Sequence, residues 1–147
     1  MSPTFSSLEI RNYRLWITGA FISNVGTWMG RVGQDLLVLT TLTAGSGTAL
    51  GVVTGLQFLP FLVLAPWTGL IADVFPKRRL LVITQVLLLV TSLLLAILAL
   101  GGWAHLWHVY AIALAQGVIT AVDNPARQAF VSEMVPADRL TNAVALN

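Results

Sequence analysis

The chain has 147 residues, of which 56% are hydrophobic and 10% charged, with a formal net charge of +2 and no cysteine. Soluble domains carry about 25% charged residues, so a mean hydropathy of +0.82 excludes a disordered chain and argues against a soluble enzyme. The small net charge gives no case for nucleic acid, and the lack of cysteine excludes disulfides and thiolate metal sites.

What remains is a membrane-embedded chain, and the spacing of its charges outlines the spans. Residues 36–72 and 80–122 contain no Asp, Glu, Lys or Arg, gaps of 37 and 43 residues. A helical span needs about 20 residues, so each gap suits two spans joined by a hairpin. The turn signals Ala44-Gly45-Ser46-Gly47 and Gly101-Gly102 fall inside the gaps. Residues 1–14 read as a cytoplasmic N-terminus. A four-helix part follows over 15–135, with spans at about 15–42, 48–75, 79–100 and 106–134. The segment 136–147 reads as the start of a fifth helix, cut short.

The first helix has two opposed faces. At 100° per residue, Asn24, Trp28, Arg31 and Asp35 fall within a sector about 60° wide. Gly19, Gly26, Gly30 and Gly33 fall within another on the opposite side. Glycine costs helix stability, so four on one face call for close packing against a neighbouring helix. Lipid cannot solvate the polar face, which must therefore look into a cavity or the protein interior. Arg31 and Asp35 stand four apart and can partly neutralise each other. Two readings stay open for them: an internal clamp, or a substrate or proton site.

In the second helix Gly51 and Gly55 form a small pair that lets backbones approach; Ala113 and Gly117 repeat the pattern in the fourth. Lys77, Arg78 and Arg79 join helices 2 and 3. Arg11, Arg14, Arg127 and Arg139 fall on the same side under a four-helix topology, and the opposite loops carry no Lys or Arg. The positive-inside rule then places the N-terminus in the cytoplasm of a multi-pass protein of the cell membrane. Trp103 and Trp107 lie at the outer interface, beside His105 and His108. Two histidines make a weak metal signal, an interfacial loop is the preferred reading, and no metal is expected. On the fourth helix Gln116, Thr120, Asp123 and Arg127 share a face about 60° wide.

The stretch Gly69-Leu-Ile-Ala-Asp73-Val-Phe-Pro-Lys77-Arg78-Arg79 resembles the loop between helices 2 and 3 of the major facilitator superfamily. Gly69, Asp73, Lys77 and Arg78 match that motif. Val74 stands where arginine is common, and Pro76 where glycine is. Asn24-Val-Gly-Thr-Trp-Met29 through Gln34-Asp35 resembles helix 1 of the bacterial branch that holds siderophore and drug exporters. Asp123-Asn-Pro-Ala-Arg-Gln-Ala-Phe130, with Leu140-Thr-Asn-Ala143, resembles the end of helix 4 and the start of helix 5 there. The resemblance covers nearly the whole chain but only the first third of a typical twelve-helix member.

Asp73 is expected to accept from Arg127 or from the N-terminus of another helix, and Lys77 to reach Asp123, locking an inner gate in one conformation. Asn124 either caps a new helix with Pro125 at its first position or precedes a kink; the resemblance favours a helix that continues. The resemblance implies an all-α secondary transporter working by alternating access, with helices 1 and 4 lining the cavity. It also implies export of small molecules driven by protons, with Asp35 as the proton-carrier candidate. The expected partners are the bilayer, a small-molecule substrate, protons and the missing C-terminal helices; no cofactor is expected. The 147 residues alone lack a second bundle and are not expected to transport. Two alternatives remain: a complete small four-helix oligomeric efflux protein, and a non-transporting scaffold. An enzyme ranks last, since no nucleophile–base pair stands out.

Overall fold

The computed structural model of the protein describes residues 9–136. The expected start of a fifth helix, with Arg139 and Leu140, lies outside them. Four α-helices follow one another: α1 (Arg11–Leu36), α2 (Gly47–Val74), α3 (Lys77–Leu100) and α4 (Leu106–Met134). A π-helical segment, Leu37–Leu42, continues α1. The described residues contain no strand, so the chain is all-α.

Three helices, α2, α3 and α4, are long and apolar enough to cross a membrane. The first is not among them, a difference from the four expected spans. Asn24, Arg31, Gln34 and Asp35, with four glycines, make α1 too polar to qualify by composition. Such a helix needs protein neighbours to cover its polar side.

Local chemistry sets the helix ends. After the π segment, Ala44 and Gly45 take positive φ values of 50° and 97°. Thr43 donates its hydroxyl to the Val38 carbonyl at 2.7 Å and accepts from the Ser46 amide at 3.2 Å. Ser46 then caps α2, its hydroxyl accepting from the Ala49 amide at 3.2 Å. Pro76 stands just before α3, where a missing N–H costs nothing. Gly102, at φ 72°, turns the chain after α3. His105 and His108 form a reciprocal cap on α4, and the His105 amide donates to His108 Nδ1 at 3.1 Å. Pro125 lies inside α4, which runs on to Met134. Of its two readings the continuous helix is the one observed.

The most extensive helix pairing is α2 against α4, followed by α3 against α4. Pro60 has no N–H to give the Leu56 carbonyl, so that oxygen is left open. Gly117 of α4 presses onto this spot. A Cβ there would lie 2.6 Å from the Gln57 oxygen, 2.8 Å from that of Leu56 and 3.0 Å from Pro60 Cγ. By contrast, a Cβ on Gly19, Gly26, Gly30, Gly33, Gly51 or Gly55 would meet nothing within 4 Å. Among the described residues the expected glycine packing therefore falls on the Ala113–Gly117 pair.

The first helix is fastened at its ends. Tyr13 is buried with Val131 and Val135. At the other end Val38 is buried with Ala49, Val53, Leu95 and Val109. Between them, residues 21–33 contribute no fully buried side chain. That slack middle borders the cavity described next.

Candidate functional site

A cavity of about 410 Å³ lies between α1, α3 and α4. From α1 and its π extension come Thr27, Arg31, Gln34, Thr40 and Thr41; α3 gives Ser92, and α4 gives Gln116 and Thr120. Leu36, Leu37, Leu88 and Leu95 supply apolar wall. Small-molecule sites occupy about 300–1,000 Å³ and combine apolar walls with a few placed polar groups. This cavity has that make-up.

The polar sector of α1 does not act as one surface. Arg31 lines the cavity, whereas Asn24 and Trp28 line a separate, more open groove with Phe21, Val25 and Met29. Asp35 is half-buried and lines neither. No ion pair within 4 Å joins Arg31 to Asp35. The Arg31 guanidinium instead sits 5.2 Å from the Trp28 ring centre and 5.6 Å from that of Phe58. Those rings stabilise a cation in a low-dielectric setting through their negative faces.

Below the cavity, toward the basic end, the same α4 face enters a polar network. Asp123 is buried at 3% exposure. Its Oδ1 accepts from the Thr84 hydroxyl at 2.5 Å and from Gln85 Nε2 at 3.1 Å. Its Oδ2 accepts from Arg127 Nε at 2.5 Å. Ser23 of α1 donates to Gln85 Oε1 at 2.7 Å. The carboxylate thus ties α3 to α4, and Gln85 extends the network to α1. Arg127 also lies 6.0 Å from the Trp16 ring centre, and Trp16 meets Phe130 edge-on at 4.8 Å.

The pairs at the basic end differ from those expected. Lys77 binds Glu133 at 2.9 Å, not Asp123. Arg127 binds Asp123, not Asp73. The physical reason is proximity along α4: Asp123 sits one turn from Arg127 and reaches it without help from another loop. Asp73 is exposed, as are Arg78 and Arg79, while Gly69 is half-buried on α2.

Several of these residues were not singled out from the sequence. At 100° per residue Gln34 lies about 60° beyond Arg31, the nearer edge of the polar sector, and so fell outside it. Thr84, Gln85 and Ser92 sit within a long charge-free run. Their signal was present, since a glutamine inside an apolar helix wants a partner. Gln34 Nε2, Gln57 Nε2 and Trp16 Nε1 are buried donors with no partner among the described residues.

The model of a family described as transmembrane secretion effector matches residues 2–147. The chain is 31% identical over 135 residues to a staphyloferrin A transporter of Staphylococcus aureus, which covers 91% of this chain and 34% of that protein. It is 22% identical over 137 residues to macrolide efflux protein A of Streptococcus pyogenes, covering 93% of this chain and 33% of that one. The chain therefore spans about a third of the length of these curated relatives. No solved structure gives a significant match.

Proposed function

The chain belongs to the transmembrane secretion effector family of the major facilitator superfamily, and from that premise we propose that it forms the first helices of a proton-coupled exporter of small molecules. The observation that carries this reading is the polar-lined cavity between α1, α3 and α4, set among helices that otherwise face outward with leucine, valine and phenylalanine. A chamber of this kind in an apolar bundle is a place for a solute to stop. The remaining helices of the longer protein would supply the second wall and the body against which this one rocks.

In this reading the basic end faces the cytoplasm of the cell membrane, as the arginine and lysine bias requires. The Asp123 network and the Lys77–Glu133 pair hold α1, α3 and α4 together there. Asp123 is engaged by three donors and serves as a structural tie. Asp35 has no ion pair within 4 Å among the described residues. Unlike Asp73, exposed at the end of α2, it is half-buried with helix on both sides, so in this reading it is the acid that exchanges a proton during transport.

The test is an export assay with the transporter that carries this sequence, expressed in cells lacking their own efflux systems. Energised cells should hold less of an exported substrate than cells without the protein, and a protonophore should erase the difference. Asp35→Asn should abolish coupled export at normal expression. Unchanged export in that variant would remove Asp35 from the mechanism. A transporter indifferent to the protonophore would remove proton coupling.

A further inference from the structure

We infer that the cavity between α1, α3 and α4 selects a carboxylate-bearing, anionic solute over a neutral or cationic one of similar size. The inference rests on the transport reading above and deepens it by naming a substrate class. Charge comes first. Among the described residues Arg31 is the one charged side chain lining the cavity, and no Asp or Glu lines it. Arg31 has no ion pair among the described residues. Aromatic rings hold its guanidinium by their faces, which leaves its N–H edge uncommitted. Asp123, the buried acid on α4, is already shared among Thr84, Gln85 and Arg127 and does not turn to the cavity.

Hydrogen-bond accounting points the same way. Gln34 lines the cavity at 2% exposure, and its Nε2 has no partner among the described residues. A buried donor left unpaired is costly, and an incoming acceptor would relieve it. Two of the neighbouring hydroxyls are spent: Thr27 donates to the Ser23 carbonyl at 2.9 Å and Thr40 to that of Leu36 at 2.7 Å. Those of Ser92 and Thr120 can donate or accept, whereas the cavity groups that can only donate and have no hydrogen bond among the described residues are the Arg31 guanidinium and the Nε2 of Gln34. They stand three apart on one helix, on adjoining positions of its surface. A carboxylate offers two oxygens and meets a guanidinium with a neighbouring amide well. A cation in the same place would face Arg31 in a low dielectric, where repulsion is strong.

Tricarballylate and its trimethyl ester separate charge at nearly constant shape, and tetraphenylphosphonium, larger and aromatic, serves as an apolar cation. Isothermal titration of the protein in lipid nanodiscs should show tricarballylate binding at least about tenfold tighter than the ester, a ratio read directly as an affinity difference. Arg31→Gln should erase that preference, Arg31→Lys should keep part of it, and Gln34→Leu should weaken the triacid severalfold. The wild-type comparison needs no variant, so a misfolded mutant cannot hide the answer. Equal binding of ester and triacid, tighter binding of the cation, or no binding of any probe overturns the inference. Triacid preference in nanodiscs without protonophore-sensitive export in cells leaves the site standing and sinks the exporter reading. Export of cations alone does the reverse.

Discussion

Replacing Gly117 by alanine should loosen the α2–α4 pairing, the most extensive among the described residues. A Cβ at that position would lie 2.6 Å from the Gln57 oxygen and 2.8 Å from the Leu56 oxygen. Carbon–oxygen contacts between helices settle at about 3.3 Å or more, so the shortfalls are about 0.7 and 0.5 Å. Both obstacles are backbone atoms on α2 and cannot rotate aside. The helices must part, at a cost of about 1–3 kcal/mol for overpacking. Alanine returns roughly 0.8–1 kcal/mol of helix propensity, leaving a net loss of up to about 2 kcal/mol. Gly51→Ala is the matched control. It lies on α2, a Cβ there meets nothing within 4 Å, and the substitution should gain up to about 1 kcal/mol. Reversible unfolding in mixed micelles, followed by circular dichroism, reads both. Gly117→Ala at or above wild-type stability, or indistinguishable from Gly51→Ala, would refute the close approach at Pro60.

Three further outcomes use the same assay. Asp123→Ala leaves the half-buried Arg127 without its carboxylate and should cost about 3 kcal/mol or more, whereas the double change Asp123→Leu with Arg127→Leu should cost less than the single one; a double variant worse than the single would contradict this. Lys77→Glu should cost about 0.2–1 kcal/mol because the pair is partly exposed. Adding Glu133→Lys should restore that loss at low salt, and high salt should shrink both effects. Ser46→Ala removes the cap on α2 and should cost about 1 kcal/mol, against only a few tenths for Ser46→Gly; equal losses would show that the Ser46 hydroxyl is not the cap.

The all-helical membrane class was legible in the sequence because hydropathy and turn chemistry are local. Ser46, Gly102 and Pro76 act within a few residues of themselves, and they mark ends that the structure also shows. The shared face of Gln116, Thr120, Asp123 and Arg127 was legible for the same reason: it follows from one helix's geometry. All four look into the α1–α3 side of α4, two to the cavity and two to the network. What these groups bind could not be read that way. Asp123 finds Thr84 and Gln85, 39 and 38 residues away in the chain, in a run that hydropathy alone treats as uniform.

The glycines make the same point from the other side. Four of them on one face of α1 formed the stronger pattern, yet the close approach is at Gly117. Its cause is a proline on another helix that exposes a carbonyl, which no single-helix pattern can register. Composition and periodicity alone determined that this is a helical membrane chain with polar faces on its first and fourth helices. The tertiary structure decided which of those polar residues meet, because pairing depends on the rotation and depth of one helix against another. Those are set by packing across the bundle, not by the order of residues along it.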